Sequence, residues 1–114
     1  MDLPSSINLE ECMNSITEPW TPVDVARWND QVMRLALFRG AYHWHVHEGE
    51  DELFLVLRGQ ITVQMRGKAG LVLWEGDLAV IPKGVEHCPA SVGRSFVLMM
   101  AVLVHRLDLR TVSC

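Results

Sequence analysis

Cysteine, positive charge and long apolar runs are all scarce in this chain of 114 residues. Cys12, Cys88 and Cys114 are odd in number and lack CxxC spacing, so neither a disulfide framework nor a thiolate zinc site is expected. This cysteine usage fits a reducing, cytoplasmic compartment. Lys and Arg number 10 against 14 Asp and Glu, and the formal net charge is −4. That balance gives no electrostatic reason to expect nucleic acid or an anionic membrane as a partner.

No stretch of the sequence is long and apolar enough to predict a membrane span. The longest apolar run, residues 96–104, covers nine residues, about half of what a spanning helix needs. A basic segment followed by an apolar one is missing at the start, so a signal peptide is not expected. Apolar residues make up 49% and charged residues 21%, which is typical of a folded protein, and the length suits one domain.

The pattern of apolar residues predicts a β protein with a short helical preface. Residues 6–16 form the one plausible helix, with Asn8 and Glu11 spaced as a capping box. Turn residues then recur every eight to twelve positions, which is typical of a sandwich or barrel. The predicted strands are residues 31–38, 41–47, 52–58, 60–66, 71–74, 78–82, 85–90 and 96–104.

Two of these strands lack the alternation that a half-exposed strand shows. Residues 53–57 and 96–104 are apolar at both parities, so both of their faces need cover. The N-terminal segment, with Trp20 and Trp28 as anchors, is long enough to cover one sheet face and too short for two. A large exposed apolar patch is unusual on a soluble monomer, so the sequence predicts a homodimer.

Three of the five histidines stand at alternate positions: His43, His45 and His47. On a strand these side chains share one face, and two neighbouring imidazoles can lean onto one ion. Glu52 begins the next strand and could offer a carboxylate from the same side, while His87 could add a further nitrogen. The HxH pair by itself is weak evidence for a metal, because solvent-facing histidines on strands are common and most of them ligate nothing.

Two segments resemble the paired motifs of the cupin superfamily. The first motif, G(X)5HXH(X)3–4E(X)6G, is matched at His45, His47, Glu52 and Gly59. Gly40 departs from it, because four residues rather than five separate this glycine from His45.

The second motif, G(X)5PXG(X)2H(X)3N, is matched at Gly76, Pro82, Gly84 and His87. Ser91 takes the place of its final Asn. The resemblance covers about residues 40–90, and neither departure falls on a ligand position.

The resemblance implies a fold and a ligand set. The implied fold is an all-β cupin barrel, a double-stranded β-helix or jelly roll, with the short N-terminal helix in front of it. We divide the chain into an arm (1–30), the barrel (31–107) and a tail (108–114). The implied ligands of one divalent transition-metal ion (Fe, Mn, Ni, Zn, Cu or Co) are His45, His47, Glu52 and His87. The residues expected to line the pocket are His43, Phe54 and Val56.

The ligand set leaves two classes of function open. The first is a metal-dependent enzyme, an oxygenase or an isomerase or lyase, acting on a small polar molecule. The second is a non-catalytic cupin that binds or senses a small molecule. A fold alone does not choose between them. Cys88 follows His87 directly, so its side chain is expected to face the other way and pack as a small apolar group.

Overall fold

The computed structural model describes residues 3–102, and this part of the chain forms one helix and seven strands. The helix, α1, spans Leu9–Ser15. The strands are β1 (Val23–Trp28), β2 (Gln31–Ala41), β3 (Glu52–Arg58), β4 (Gln60–Met65), β5 (Leu71–Trp74), β6 (Leu78–Ile81) and β7 (His87–Val102). The predicted all-β fold with a short N-terminal helix is confirmed.

Strand β7 joins the two halves of the barrel. Its first residues pair with β4, where Met65 lies opposite His87, and β4 in turn pairs with β5. Its later residues lie between β2 and β3 in the strand order β1-β2-β7-β3-β6. All of these ladders are antiparallel, as a jelly roll requires.

The interior of the barrel is filled by apolar side chains. Alternate residues of the strands point inward, which is why β3 shows a strict buried–intermediate alternation from Glu52 to Val56. The interior cluster consists of Ala36, Phe38, Phe54, Val56, Ile61, Val63, Leu73, Ile81, Val97 and Met99.

A second buried cluster lies on the outer face of the sheet, under α1. Met13 and Ile16 pack there against Leu35, Leu37 and Leu98. Asn8 caps the helix, because its Oδ1 accepts a hydrogen bond from the backbone N–H of Glu11 at 2.9 Å. The capping residue predicted from sequence is therefore confirmed, while the helix itself is shorter than residues 6–16.

The turn from β3 to β4 depends on Gly59. Its φ of +89° lies in the left-handed region, and a Cβ added there would lie 2.3 Å from Oγ of Ser95. The backbone N–H of Gln60 donates to the same Oγ at 3.1 Å. Only glycine fits this close approach of the turn to β7.

Some predicted strand boundaries are wrong. Residues 42–47 do not form a strand: only His45 makes a bridge, to His87. The chain instead continues β2 to Ala41, past a register shift between Phe38 and Gly40, and then leaves the sheet. Residues 87–102 form one strand rather than two separate ones.

The division into arm, barrel and tail stays a prediction. The structure places β1, which falls inside the predicted arm, as a strand paired with β2. Residues 103–107 of the predicted barrel and the tail 108–114 lie outside the described residues. No helix between residues 3 and 102 has the length and apolar character needed to cross a membrane.

Candidate metal centre

Four side chains predicted as metal ligands come together at one end of the barrel. One ligand atom from each of His45, His47, Glu52 and His87 lies within 4.8 Å of the other three. We call this group the His3Glu cluster. Its residues come from the segment after β2, from the first residue of β3 and from the first residue of β7.

Glu52 lies at the centre of the cluster. Its Oε1 is 3.0 Å from Nε2 of His87, 3.2 Å from Nε2 of His47 and 4.0 Å from Nε2 of His45. Burial by itself raises the pKa of the Glu52 carboxyl. The hydrogen bonds from the three surrounding imidazoles outweigh this effect and lower the pKa to well below its usual range. The carboxylate is therefore charged and surrounded by nitrogen atoms.

Backbone hydrogen bonds hold the histidine segment against β7. His45 and His87 exchange N–H···O bonds of 3.0 and 2.9 Å. The N–H of Gly84 donates to the carbonyl of His47 at 2.8 Å, from a residue whose φ of +84° suits glycine. These bonds place the histidines without a regular strand.

Two of the imidazoles have a fixed tautomer. Nδ1 of His45 lies 3.0 Å from the carbonyl oxygen of His43, and Nδ1 of His87 lies 2.9 Å from that of Val85. A carbonyl oxygen only accepts, so each Nδ1 carries the proton and donates it. Nε2 of each ring then faces the centre of the cluster, where it would bind a cation through its lone pair.

The donor set fits a cation. Nε2 of His47 is buried and has no hydrogen-bond partner, although it lies 3.2 Å from Glu52 Oε1. A buried polar atom without a partner is costly and needs an explanation. A cation among three imidazole nitrogens and one carboxylate oxygen would satisfy it, and these donors suit divalent transition metals.

The cavity beside the cluster is small. Its volume is about 10 Å³, about the space of one water molecule. Its lining residues are His47, Glu50, Asp51, Glu52, Met100 and Ala101.

The three residues predicted to line a pocket lie elsewhere around the cluster. Phe54 and Val56 are fully buried in the interior cluster, with the Phe54 ring 6.2 Å from that of His87. His43 is exposed and stacks on Tyr42 at 3.8 Å between ring centroids. Their role in binding a ligand stays a prediction. The fifth histidine of the sequence, His105, which sequence position makes a less favoured ligand than His87, lies outside the described residues.

Two other features lack the chemistry of a metal or catalytic site. A shallow concavity of about 400 Å³ lies where β2, β4 and β7 meet, but Arg94 is the only ionisable residue among those that line it. Cys88 is buried next to His87, and burial raises the pKa of its thiol, so it stays protonated. The chemistry is therefore concentrated in the His3Glu cluster.

Sequence reasoning missed the residues around the histidine segment. Trp44 stacks on the guanidinium of Arg66 at 4.0 Å, and Arg66 is paired with Glu86 at 3.1 Å. These residues follow no spacing rule, and only the folded chain brings them together. A weak signal was available, since Trp44 and Glu86 each directly precede a predicted ligand.

Comparison with known proteins gives one family throughout. A family model described as a cupin domain matches residues 36–104. A protein of Bacillus subtilis strain 168, named as the uncharacterized protein YdbB, is 35% identical over 105 residues, which is 92% of this chain and 89% of that protein.

Solved structures agree on the fold. A cupin-2 domain containing protein from Shewanella frigidimarina has a TM-score of 0.81 and 30% identity, covering 84% of this chain and 93% of that one. The hydroquinone 1,2-dioxygenase of Sphingomonas sp. TTNP3, with 4-hydroxybenzoate bound, has a TM-score of 0.75 and 18% identity, covering 90% and 80%. At that identity the second likeness concerns the fold alone.

Proposed function

The chain belongs to the cupin domain family, and from this membership and the cluster geometry we propose that it is a metal-dependent enzyme acting on a small polar molecule. His45, His47, Glu52 and His87 would hold one divalent transition-metal ion. The observation that carries the proposal is the buried Nε2 of His47, which faces the other three ligand atoms without a hydrogen-bond partner.

The side chains have separable tasks in this proposal. The bound ion would supply Lewis acidity or, if redox-active, oxygen chemistry. Glu52 lowers the net charge of the site, and the carbonyls of His43 and Val85 hold the rings of His45 and His87 through their Nδ1 protons. Phe54 closes the site from the interior and excludes water there.

We favour oxygenase chemistry over the isomerase or lyase alternative. An imidazole-and-carboxylate donor set is typical of non-haem oxygenases. The dioxygenase of similar fold adds support at the level of architecture only.

A second candidate function is a cupin that holds its metal without converting an organic substrate. The cavity of about 10 Å³ favours this alternative, because among the described residues it leaves room for little more than one water. The favoured oxygenase and the binding protein differ in one observable, the consumption of O₂.

Elemental analysis of untagged protein tests the metal. We expect about one transition-metal ion per chain for the wild type and a marked loss for His47→Ala, because outer-shell partners alone change affinity by about 10–100-fold. His43→Ala is the matched control, since it removes a neighbouring imidazole that lies outside the His3Glu cluster. Equal metal content in all three proteins would contradict the assignment.

Oxygen uptake tests the chemistry. The protein is loaded with Fe(II) without oxygen and then supplied with O₂ and a panel of small phenols and organic acids. Consumption that depends on one compound and is lost in His87→Ala supports the oxygenase. A metal-loaded protein that consumes no O₂ with any compound supports the binding protein instead.

We also propose a homodimer formed through the outer face of β6. Leu78 and Val80 are 57% and 53% exposed there, and they lie opposite Leu55 and Leu53 of β3. The helix α1 covers the neighbouring part of this face. The apolar side chains on the outer face of β6 are left uncovered by the described residues, and these are the ones for which a second chain would provide cover.

A further inference from the structure

Trp44, Arg66 and Glu86 form a contact group on the outside of the His3Glu cluster, which we call the clasp. The guanidinium carbon of Arg66 lies 4.0 Å from the centre of the Trp44 ring. Its Nε donates to Oε1 of Glu86 at 3.1 Å. One arginine therefore joins two residues that are 42 positions apart in the sequence (86 − 44).

The clasp is attached directly to two of the four cluster residues. Trp44 precedes His45 and Glu86 precedes His87, and the backbones of these two histidines already exchange hydrogen bonds. The N–H of Arg66 also donates to the carbonyl of Glu86 at 3.0 Å. Because neighbouring side chains of an extended chain face opposite ways, the clasp holds this backbone from the side away from the cluster.

The peptide units around Trp44 govern the orientation of His45. The Nδ1 proton of His45 is held by the carbonyl of His43, on the other side of Trp44 in the chain. A rotation of the backbone at Trp44 would therefore move both the acceptor and the ring. Backbone hydrogen bonds hold Tyr42, His45 and His47, but none of those found among the described residues involves Trp44, so its side-chain contacts are what hold the backbone at that position.

We propose that Arg66 is a positioning residue for the metal site: by binding Trp44 and Glu86 together, it holds the His45 and His87 rings in the orientation that binds the ion. This inference rests on the proposed metal function. It adds a residue that touches neither the ion nor its ligands.

The contribution of the clasp to folding is expected to be small. The side chains of Arg66 and Glu86 are 59% and 43% exposed, and exposed ion pairs contribute little stability. An exposed cation–π contact is similarly weak. A large effect of its removal on metal affinity would therefore not come from unfolding.

The sign of the effect separates positioning from charge. Arg66→Met removes a positive charge near a proposed cation site, and electrostatics alone would then strengthen metal binding. Loss of positioning would weaken it. We expect Arg66→Met and Trp44→Leu each to raise the Kd for Co(II) or Zn(II) about fivefold, below the 10–100-fold of direct ligand partners.

Competition with a chromophoric chelator measures the Kd on metal-free, full-length protein. Trp44→Phe keeps an aromatic face for Arg66 and is expected to stay within twofold of wild type. The Trp44→Leu/Arg66→Met double variant is expected to lose no more than either single one, because residues that act as a unit are non-additive.

Arg58→Met is the matched control. Arg58 is also exposed, lies at the end of a strand and pairs with a glutamate, Glu10. Glu10 belongs to α1 and is not next to a residue of the His3Glu cluster. The Kd of Arg58→Met is expected to be that of wild type. The same weakening in Arg58→Met as in Arg66→Met would overturn the proposal.

A second measurement works without metal. Long-range proton–nitrogen NMR of the imidazoles reports the tautomer, and the wild type is expected to show a single Nδ1-protonated form for His45 and His87. Arg66→Met is expected to show a mixture. Wild-type tautomers and a wild-type Kd in Arg66→Met would overturn the positioning role of Arg66. A wild-type protein that binds no metal would overturn the proposed function, and the tautomers alone would then test the positioning role.

Discussion

Oε1 of Glu52 lies within 4.0 Å of the Nε2 atoms of His45, His47 and His87. Because three imidazoles surround this one carboxylate oxygen, we expect metal binding to be more sensitive to substitution of Glu52 than to substitution of any other residue of the His3Glu cluster. Burial of the Glu52 carboxyl is outweighed by the hydrogen bonds from these imidazoles, which lower its pKa well below the usual range, so the group is ionised at neutral pH. A change that keeps its shape and removes its charge therefore isolates the electrostatic part of metal binding.

Glu52→Gln is expected to weaken metal binding by more than about 100-fold, since even outer-shell changes cost about 10–100-fold. Titration calorimetry of the metal-free protein measures the change. Glu50→Gln is the control, because Glu50 lines the same small cavity but is not part of the His3Glu cluster. Equal affinities for the two variants would contradict a direct role for Glu52.

At the level of strands, one carboxylate of β1 adds a side-chain link to the backbone ladder between β1 and β2. Asp24 accepts hydrogen bonds from Arg27 at 2.7 Å and from Arg34 at 2.8 Å. The bond from Arg27, then that from Arg34, lowers the pKa of the Asp24 carboxyl, and burial opposes them only in part. A lowered folded-state pKa means that this contribution to stability is complete above the unfolded value and is lost as the pH falls through the folded value.

Asp24→Asn is therefore expected to destabilise the protein at pH 7 by less than about 1 kcal/mol, the range of exposed ion pairs. The difference from wild type should be constant above about pH 5 and shrink below about pH 4, where an unfolded Asp begins to protonate. Urea unfolding across this range measures it. Asp30→Asn, in the exposed turn before β2, controls for net charge; a difference that grows as the pH falls would contradict the argument.

Strands and ligands were predictable from sequence to different degrees. The β3 span follows from a short continuous apolar run and the β4 span from alternation, with a glycine turn between them, and these are local signals. The segment carrying His45 was predicted as a strand and is not one, because a register shift near Gly40 and pairing to distant Pro89 and His87 decide its path. The meeting of the four predicted ligands followed from motif spacing, whereas the clasp depends on contacts between Trp44 and Arg66 that no spacing encodes.

For the whole molecule, the open question is what covers the outer face of β6. Within residues 3–102 this strand has a neighbouring strand on one side only, β3, and Leu78 and Val80 point away from the barrel interior. An edge strand with exposed apolar residues is a surface on which another chain can pack. A second copy brings the same surface, and closed twofold pairing buries both at once.

Light scattering at micromolar concentration is expected to give about twice the chain mass of 12.9 kDa. Leu78→Lys should shift the protein toward the monomer, because it places a charge in the proposed contact. Val92→Lys is the control, since Val92 is fully exposed within β7, away from β6. A wild type that stays monomeric on concentration would contradict the homodimer.

The shared strand β7 has a consequence for biosynthesis. Its ladder with β2 runs from Ala41 opposite Ala90 to Gln31 opposite Val102. This ladder can therefore form only after β7 has been synthesised. During translation His45, His47 and Glu52 leave the ribosome well before His87, at a stage when β1 is available to pair with β2 but β7 is not. Such long-range pairing forms slowly. The growing chain therefore holds an incomplete set of the proposed donors, and we expect the proposed metal site to form only after β7 has paired and brought His87 to the other three residues.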